Sequence, residues 1–247
     1  MMVNGFNQMV EQLEILIKRV KMEQDQIKKI ELNALQSQIK PHFLYNTLEC
    51  IHWQALSDGN GEVSTMVKAL ASYYRICLSK GRDIIPLARE LAHVESYLII
   101  QNMRYSDIIE SDFQIDYEFE DILIPKMTLQ PLIENSIYHG IKIKDGYKGK
   151  IIIRVWADGD DIIISLSDNG TGMTQEKIDE LNNSIFIHDE TFGYGVRNVH
   201  KRIEILYGKG YGLFYHKNRS GGITVEIRLP GKANRKEVEN VQNASGG

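Results

Sequence analysis

The sequence of residues 162–173 is IIISLSDNGTGM, an apolar run that ends at Asp168 and is followed by Gly170 and Gly172. A short apolar run bounded by a glycine-rich turn is typical of a buried β-strand. Further predicted elements are strands at 113–120, 150–156, 213–216 and 223–229, and helices at 126–139, 175–182 and 196–207. Strands and helices mixed in this way predict a mixed sheet covered on one face by helices, an α/β sandwich.

The end of this central strand is also a candidate binding site. A carboxylate there, Asp168, can accept a hydrogen bond from the exocyclic amine of adenine. Gly170 and Gly172 would let the backbone approach the ring without a clash from a Cβ atom. An ordinary strand-ending turn explains the same residues equally well, so the motif alone does not decide between the two.

A second candidate site lies upstream, where residues 134–140 have the sequence ENSIYHG. Asn135 and His139 are four residues apart and therefore share one face of a helix, and Gly140 is well placed to end that helix. An amide oxygen can ligate Mg²⁺, a hard cation that prefers oxygen donors. A solvated helix face accounts for an isolated Asn and His more often than a metal site does.

A third candidate site is the segment 193–198, GYGVRN, which opens an amphipathic helix. Gly193 and Gly195 before a helix N-terminus would expose unpaired N–H groups to an anion, the arrangement that binds phosphates. Arg197 or Lys201 could add charge, although a solvated basic face explains either one better, and Asn198 is a further candidate contact. Residues 173–192 are polar and interrupted, and they are predicted to form a mobile lid.

The N-terminal part of the chain has a helical pattern. Apolar residues recur at alternating three- and four-residue spacing over residues 6–30, which predicts a coiled coil that must pair. The sequence SDGNG at 57–61 marks a turn between two further helices, a hairpin. Two such hairpins from two chains would close a four-helix bundle. A third helix follows Pro86 and ends near Tyr105, where a hinge is predicted.

Within the first hairpin helix, residues 38–46 have the sequence QIKPHFLYN. Pro41 inside a helix removes a backbone hydrogen bond and kinks the chain. The neutral imidazole of His42, directly after it, is a competent nucleophile at cellular pH. Because His42 lies on the same helical face as Leu35, a packed core histidine remains an alternative at this stage. Asn46 follows His42 by one turn and could take part in positioning a water molecule.

Composition excludes several classes of protein. The chain has 247 residues and a net charge of −4, which gives no reason to expect nucleic acid as a partner. Cys50 and Cys77 both lie in apolar helical stretches, so neither a disulfide framework nor a zinc site is expected. No run approaches the roughly 20 apolar residues that cross a bilayer, and a cytoplasmic location is expected for this chain.

The three motifs, in this order, resemble the asparagine box and the two glycine boxes of the GHKL ATP-binding superfamily. With the sequences QIKPHFLYN and LQPLIEN (129–135), and the helix that begins at Val196, the chain resembles the LytS/YesM-type sensor histidine kinases over residues 25–230. The resemblance implies that His42 is the phosphoacceptor, that Asn135 holds Mg²⁺ and that Asp168 binds adenine, with Mg²⁺ and ATP as cofactors. It also implies a homodimer, a response regulator whose receiver domain accepts the phosphoryl group, and an upstream transmembrane sensor segment that this chain lacks.

The predicted architecture is therefore α+β, with a helical-hairpin dimerisation domain followed by a GHKL-type α/β sandwich. The expected limits are a coiled-coil signalling helix with HAMP resemblance at 1–24, dimerisation and histidine phosphotransfer helices at 25–105, an ATP-binding domain at 106–232 and a flexible tail at 233–247. Such a kinase would lie at the cytoplasmic face of the membrane in the full-length receptor.

Two positions depart from related patterns. Many histidine kinases carry an acidic base directly after the phosphoacceptor, where this chain has Phe43, so the base is unidentified. Gyrase-type ATPases carry a water-activating glutamate where this chain has Pro131. The rival functions are a GHKL-fold ATPase, against which Pro131 argues, and a non-enzymatic nucleotide-binding adaptor, against which the intact motifs argue.

Overall fold

The computed structural model of the protein describes residues 41–78, 83–105, 108–141, 148–184 and 194–231. The helices are α1 Pro41–Ser57, α2 Gly61–Cys77, α3 Leu87–Tyr105, α4 Leu129–Asn135, α5 Gln175–Ser184 and α6 Tyr194–Tyr207. The strands are β1 Ile84–Pro86, β2 Ile109–Gln114, β3 Leu123–Pro125, β4 Gly149–Asp158, β5 Asp161–Asp168, β6 Gly212–Lys217 and β7 Ile223–Pro230. A 3-10 helix spans Tyr117–Phe119, and a π-helix, Ser136–Ile141, continues α4. The chain divides into two compact units, Met1–Thr47 and Leu48–Gly247.

The turn between α1 and α2 lies where the sequence predicts it. Gly59 has a φ of 72°, in the left-handed region that favours glycine. The side chain of Asn60 accepts a backbone N–H bond of the first turn and caps α2. The coiled coil predicted for residues 6–30, and the chain before Pro41 that a kink would involve, lie outside the described residues. In the ranges that are described, no helix is long and apolar enough to cross a membrane.

The main sheet has five strands in the order β2-β4-β5-β7-β6. β2 runs parallel to β4, and the other neighbouring strands are antiparallel. Alternate residues of β7 are buried, as expected for a sheet with helices on one face only. The predicted mixed sheet with helices is therefore confirmed, and β5, which carries Asp168, is its central strand.

The strand predicted at 113–120 is misplaced. β2 begins earlier, at Ile109, which is buried and pairs with Gly149 of β4. Residues 117–119 form a 3-10 helix, and Tyr117 is 87% exposed. The alternation of apolar and acidic residues at 115–120 resembles that of a strand, but only Ile115 and Phe119 pack against the core, and both are only half-buried. The short antiparallel pair of β1 and β3 was not predicted.

Helix α3 shares its core with the sheet. Leu87, Val94 and Leu98 belong to the same buried cluster as Leu129 of α4 and the apolar residues of β5 and β7. This shared core contradicts the hinge predicted near Tyr105, because bending the chain there would expose those side chains to water. The predicted domain limits themselves stay predictions.

Candidate functional site

Asp168 lies at the end of β5 and is 6% exposed. Its Oδ1 accepts the N–H groups of Gly170 at 2.9 Å and Ile223 at 3.3 Å, and its Oδ2 accepts the hydroxyl of Ser136 at 2.9 Å. Because an ionised carboxylate offers about four lone-pair positions, these three donors fix its orientation and leave acceptor capacity on Oδ2. The carboxylate can therefore accept one further N–H, such as that of an exocyclic amine.

The wall beside Asp168 is made of backbone. A Cβ atom on Gly170 would lie 2.6 Å from the Cα of Gly140, closer than side chains tolerate. Gly172 has a φ of 70°, and a Cβ there would collide with the carbonyl oxygen of Gly221. Both glycines of the first glycine motif are therefore required by packing. The structure thus joins the first glycine motif to Gly140 of the asparagine motif.

Asn135 is the last residue of α4 and is half-buried. The prediction that Gly140 ends this helix is wrong, because the chain continues as a π-helix and Gly140 lies within that wider turn. Such turns widen a helix and occur frequently at functional sites. His139 is exposed. The described part of the chain offers the side-chain amide of Asn135 no hydrogen-bond partner, so its oxygen is available as a ligand.

The second glycine motif is described only in part, because Gly193 lies outside the described residues. Gly195 lies in the first turn of α6, and a Cβ on it would be 3.3 Å from the Cβ of Pro131 in α4. This glycine lets the start of α6 approach α4. Arg197 is half-buried and Asn198 is exposed on the same turn. Their contact with a phosphate stays a prediction.

The predicted lid is partly wrong. Residues Gln175–Ser184 form α5, whose Ile178 and Leu181 are buried in the main core. The side chain of Asn182 exchanges two hydrogen bonds with the backbone of Tyr215 in β6, at 2.9 and 2.8 Å. A helix held in this way is part of the domain's framework. Residues 185–193, the other half of the predicted lid, lie outside the described residues.

Two residues that hold Asp168 were not predicted from the sequence. One is Ser136, whose only sequence signal is its position next to Asn135. The other is Asn218, in the turn between β6 and β7, whose Nδ2 donates to the carbonyl oxygen of Asp168 at 2.7 Å. Its Oδ1 accepts the N–H of Ser220 at 3.1 Å, so the turn and the strand end are fixed together.

His42 and Asn46 lie in the other compact unit. The imidazole of His42 is exposed, so the alternative of a packed core histidine is wrong. The Nδ2 of Asn46 lies 3.3 Å from Nδ1 and 3.4 Å from Nε2 of this ring. The amide therefore lies beside the imidazole one turn along the helix, as the spacing predicts. An exposed neutral imidazole can act as a nucleophile.

Comparison with known proteins finds histidine kinase families along most of the chain. Residues 30–109 match the family model "Histidine kinase", and residues 121–233 match "Histidine kinase-, DNA gyrase B-, and HSP90-like ATPase". Both parts of the chain therefore resemble histidine kinases. The resemblance to LytS/YesM-type sensor kinases is confirmed by curated relatives that carry those names.

The chain is 33% identical to the sensor histidine kinase YesM of Bacillus subtilis, over 93% of this chain and 38% of the relative. It is 33% identical to the sensor protein LytS of Oceanobacillus iheyensis, over 83% of this chain and 35% of the relative. The chain thus spans less than half the length of either protein. Among solved structures, the histidine kinase domain from the Erythrobacter litoralis EL346 blue-light activated histidine kinase matches with a TM-score of 0.44 at 18% identity, over 85% of this chain and 94% of that one.

Proposed function

We propose that this chain autophosphorylates His42 from Mg·ATP and passes the phosphoryl group to an aspartate of a response regulator receiver domain. The observation that carries the proposal is the exposed imidazole of His42 in a chain whose second unit has an ATP-binding fold. In that unit, the oriented carboxylate of Asp168 would accept the adenine amine.

The proposed reaction balances without a further reactant. The lone pair of a His42 ring nitrogen attacks the γ-phosphorus of ATP, and the bond from that phosphorus to the bridging oxygen breaks, so that ADP leaves with the electron pair. The proton on the other ring nitrogen passes to solvent. In the second step a receiver aspartate oxygen attacks the same phosphorus, the bond from phosphorus to the ring nitrogen breaks, and the ring takes up a proton from solvent and leaves as neutral imidazole. Catalysis in such transfers is mainly positioning and charge neutralisation.

Asn135 would hold Mg²⁺ through its side-chain amide oxygen, a donor type that this ion accepts. In the described ranges, no group of three or more His, Cys, Asp or Glu side chains is placed to hold a metal ion. A Mg²⁺ ion bound through one amide oxygen would therefore take its other ligands from nucleotide phosphates and water, as this ion commonly does. When bound, it would neutralise charge on the phosphates.

The hairpin surface supports the proposed homodimer. Five large apolar side chains on the part of α1 and α2 that belongs to the second unit are exposed to solvent: Ile51, Trp53, Leu56, Val63 and Met66. An apolar surface of this kind suits packing against a second hairpin in a four-helix bundle. Trp53→Glu should shift the sedimentation of the full chain from dimer toward monomer. Trp156→Glu, at an exposed tryptophan on β4, should not, and equal behaviour of both variants would contradict the proposed surface.

A location at the cytoplasmic face of the membrane, as part of a longer receptor, belongs to the same proposal and rests on the resemblance to sensor kinases. The rival hydrolytic function is disfavoured because Pro131, in α4, has no group that activates water.

The test of the proposed activity is labelling with γ-labelled ATP and Mg²⁺. The wild-type chain should acquire a label that survives alkali and is lost in acid, and should transfer it to a receiver domain. His42→Ala should acquire no label while still binding ATP. His216→Ala, at another exposed histidine, is the matched control and should be labelled normally. Label retained by His42→Ala would refute the assignment.

A further inference from the structure

Gln130, on α4, is a buried amide that joins three helices. It is 5% exposed and precedes Asn135 by five residues. Its Nε2 donates to the hydroxyl of Tyr73 on α2 at 2.7 Å and to the carboxylate of Glu134 at 2.8 Å. Its Oε1 accepts from Nε2 of His93 on α3 at 2.7 Å. We call Tyr73, His93, Gln130 and Glu134 the Gln130 cluster.

The hydrogen-bond roles in this cluster are settled by chemistry. A carboxylate only accepts, so the amide nitrogen of Gln130 must face Glu134 and its oxygen must face His93. His93 therefore carries its proton on Nε2. The ring of Tyr73 stacks on that of His93, with centroids 4.6 Å apart and planes 16° apart. Burial raises the pKa of Tyr73 to about 12, so its hydroxyl stays neutral at cellular pH.

Helix α3 also holds the beginning of α4. Glu90, one turn before His93, is fully buried, and its carboxylate accepts the N–H groups of Met127 and Leu129, each at 3.0 Å. Thr128 would ordinarily cap this helix, but its hydroxyl donates to Pro125 instead. Glu90 therefore replaces the missing cap from a neighbouring helix.

A helix as short as α4 depends on these contacts. It has seven residues, and helices shorter than about 12 residues are marginal without tertiary support. Glu90 holds the first turn of α4, and the hydrogen bonds of the Gln130 side chain hold α4 against α2 and α3. Asn135 is at its other end, so its position relative to bound phosphates follows from how α4 is held. A displacement of α4 would therefore weaken the contact between Asn135 and the bound nucleotide.

We propose that Gln130 is a positioning residue that couples hairpin helix α2, through Tyr73, to the nucleotide-binding Asn135. This inference rests on the proposed function, because it requires that Asn135 contact Mg·ATP. Movement of α2 that breaks the bond between Tyr73 and Gln130 would weaken ATP binding without touching the nucleotide. By thermodynamic reciprocity, bound ATP would hold α2 in the bonded arrangement.

The experiment measures the Kd of Mg·ATP by calorimetry, together with the KM and kcat of autophosphorylation, in the full chain. Tyr73→Phe keeps the ring stacked on His93 and removes only the hydroxyl, and Gln130→Met keeps a similar shape without polar groups. Each should raise Kd and KM about threefold to tenfold, the size expected for one net hydrogen bond, and leave kcat at saturating ATP unchanged. The double variant should bind ATP no more weakly than Gln130→Met alone, because Tyr73 acts through Gln130.

The control is Tyr117→Phe, which removes a hydroxyl from an exposed tyrosine and should leave Kd unchanged. A Tyr73→Phe variant that lowers the melting temperature but binds ATP like the wild type would overturn the inference, as would additive effects in the double variant. If Gln130→Met does not fold, Tyr73→Phe alone still decides. A wild-type chain that does not bind ATP would refute the proposed function and this inference with it, whereas normal wild-type binding with an unaffected Tyr73→Phe refutes the inference alone.

Discussion

Asp168→Asn is the substitution that separates recognition of adenine from stability of the fold. Asparagine has the same shape, and its oxygen can still accept the N–H groups of Gly170 and Ile223. Its amide nitrogen then faces Ser136, whose hydroxyl can turn from donor to acceptor. The protein contacts of Asp168 can therefore all be kept in the variant.

The contact to the nucleotide cannot be kept. The side-chain oxygen of the variant already accepts the N–H groups of Gly170 and Ile223. Only its amide nitrogen is left to face adenine, and this nitrogen is a donor, as is the adenine amine. A hydrogen bond to a charged acceptor contributes about 1.5–3 kcal/mol, so its loss should raise the Kd of ATP by about 10-fold to 100-fold. The unfolding midpoint in urea should stay close to that of the wild type.

The assay is calorimetric titration with Mg·ATP, with unfolding in urea measured in parallel. Asp161→Asn, at the opposite end of β5, is the matched control and should bind ATP normally. An Asp168→Asn chain that binds ATP as tightly as the wild type would refute the role given to this carboxylate. A chain that loses binding only because it has unfolded would be recognised by its urea transition.

Two further predictions concern packing and pH. Gly170→Ala should lower the free energy of unfolding by about 1–3 kcal/mol, because the new Cβ meets the backbone of Gly140. The control is Gly61→Ala, whose Cβ faces open space and should not lower it. Equal urea midpoints of the two variants would contradict this. Burial lowers the pKa of His200, whose Nδ1 accepts the N–H of Leu213, so the unfolded chain binds the proton more readily. The free energy of unfolding should therefore fall as the pH falls below about 6.5, and it should fall less steeply in His200→Gln. Urea midpoints that change with pH in the same way in both proteins would contradict this.

Local sequence predicts the strand that carries Asp168 well. The apolar run before Asp168 forms a strand because residues 162–166 are all buried in the middle of the sheet. The glycines that follow are fixed by close backbone contacts, which only glycine allows. The exposure of His42 was not predictable in the same way, because helical periodicity placed it on a face with apolar neighbours.

Other features depend on contacts between distant parts of the chain. Helix α4 begins only after Met127, which has a φ of 60° and donates its N–H to Glu90, 37 residues earlier. The periodic pattern at 126–139 contains no sign of this backbone turn or of the π-helix that follows. The Gln130 cluster joins residues separated by 37 and 57 positions, so neither a local motif nor a propensity could indicate it.

The position of β7 has a consequence for synthesis of the protein. Although it is the last strand that the structure describes, it lies between β5 and β6, and its first residue donates a backbone N–H to the carboxylate of Asp168. While a ribosome is still translating the segment 223–230, one edge of the central strand has no neighbour. A nascent or prematurely terminated polypeptide would therefore already carry the hairpin and its histidine, yet could not assemble the proposed adenine pocket until translation had passed residue 230.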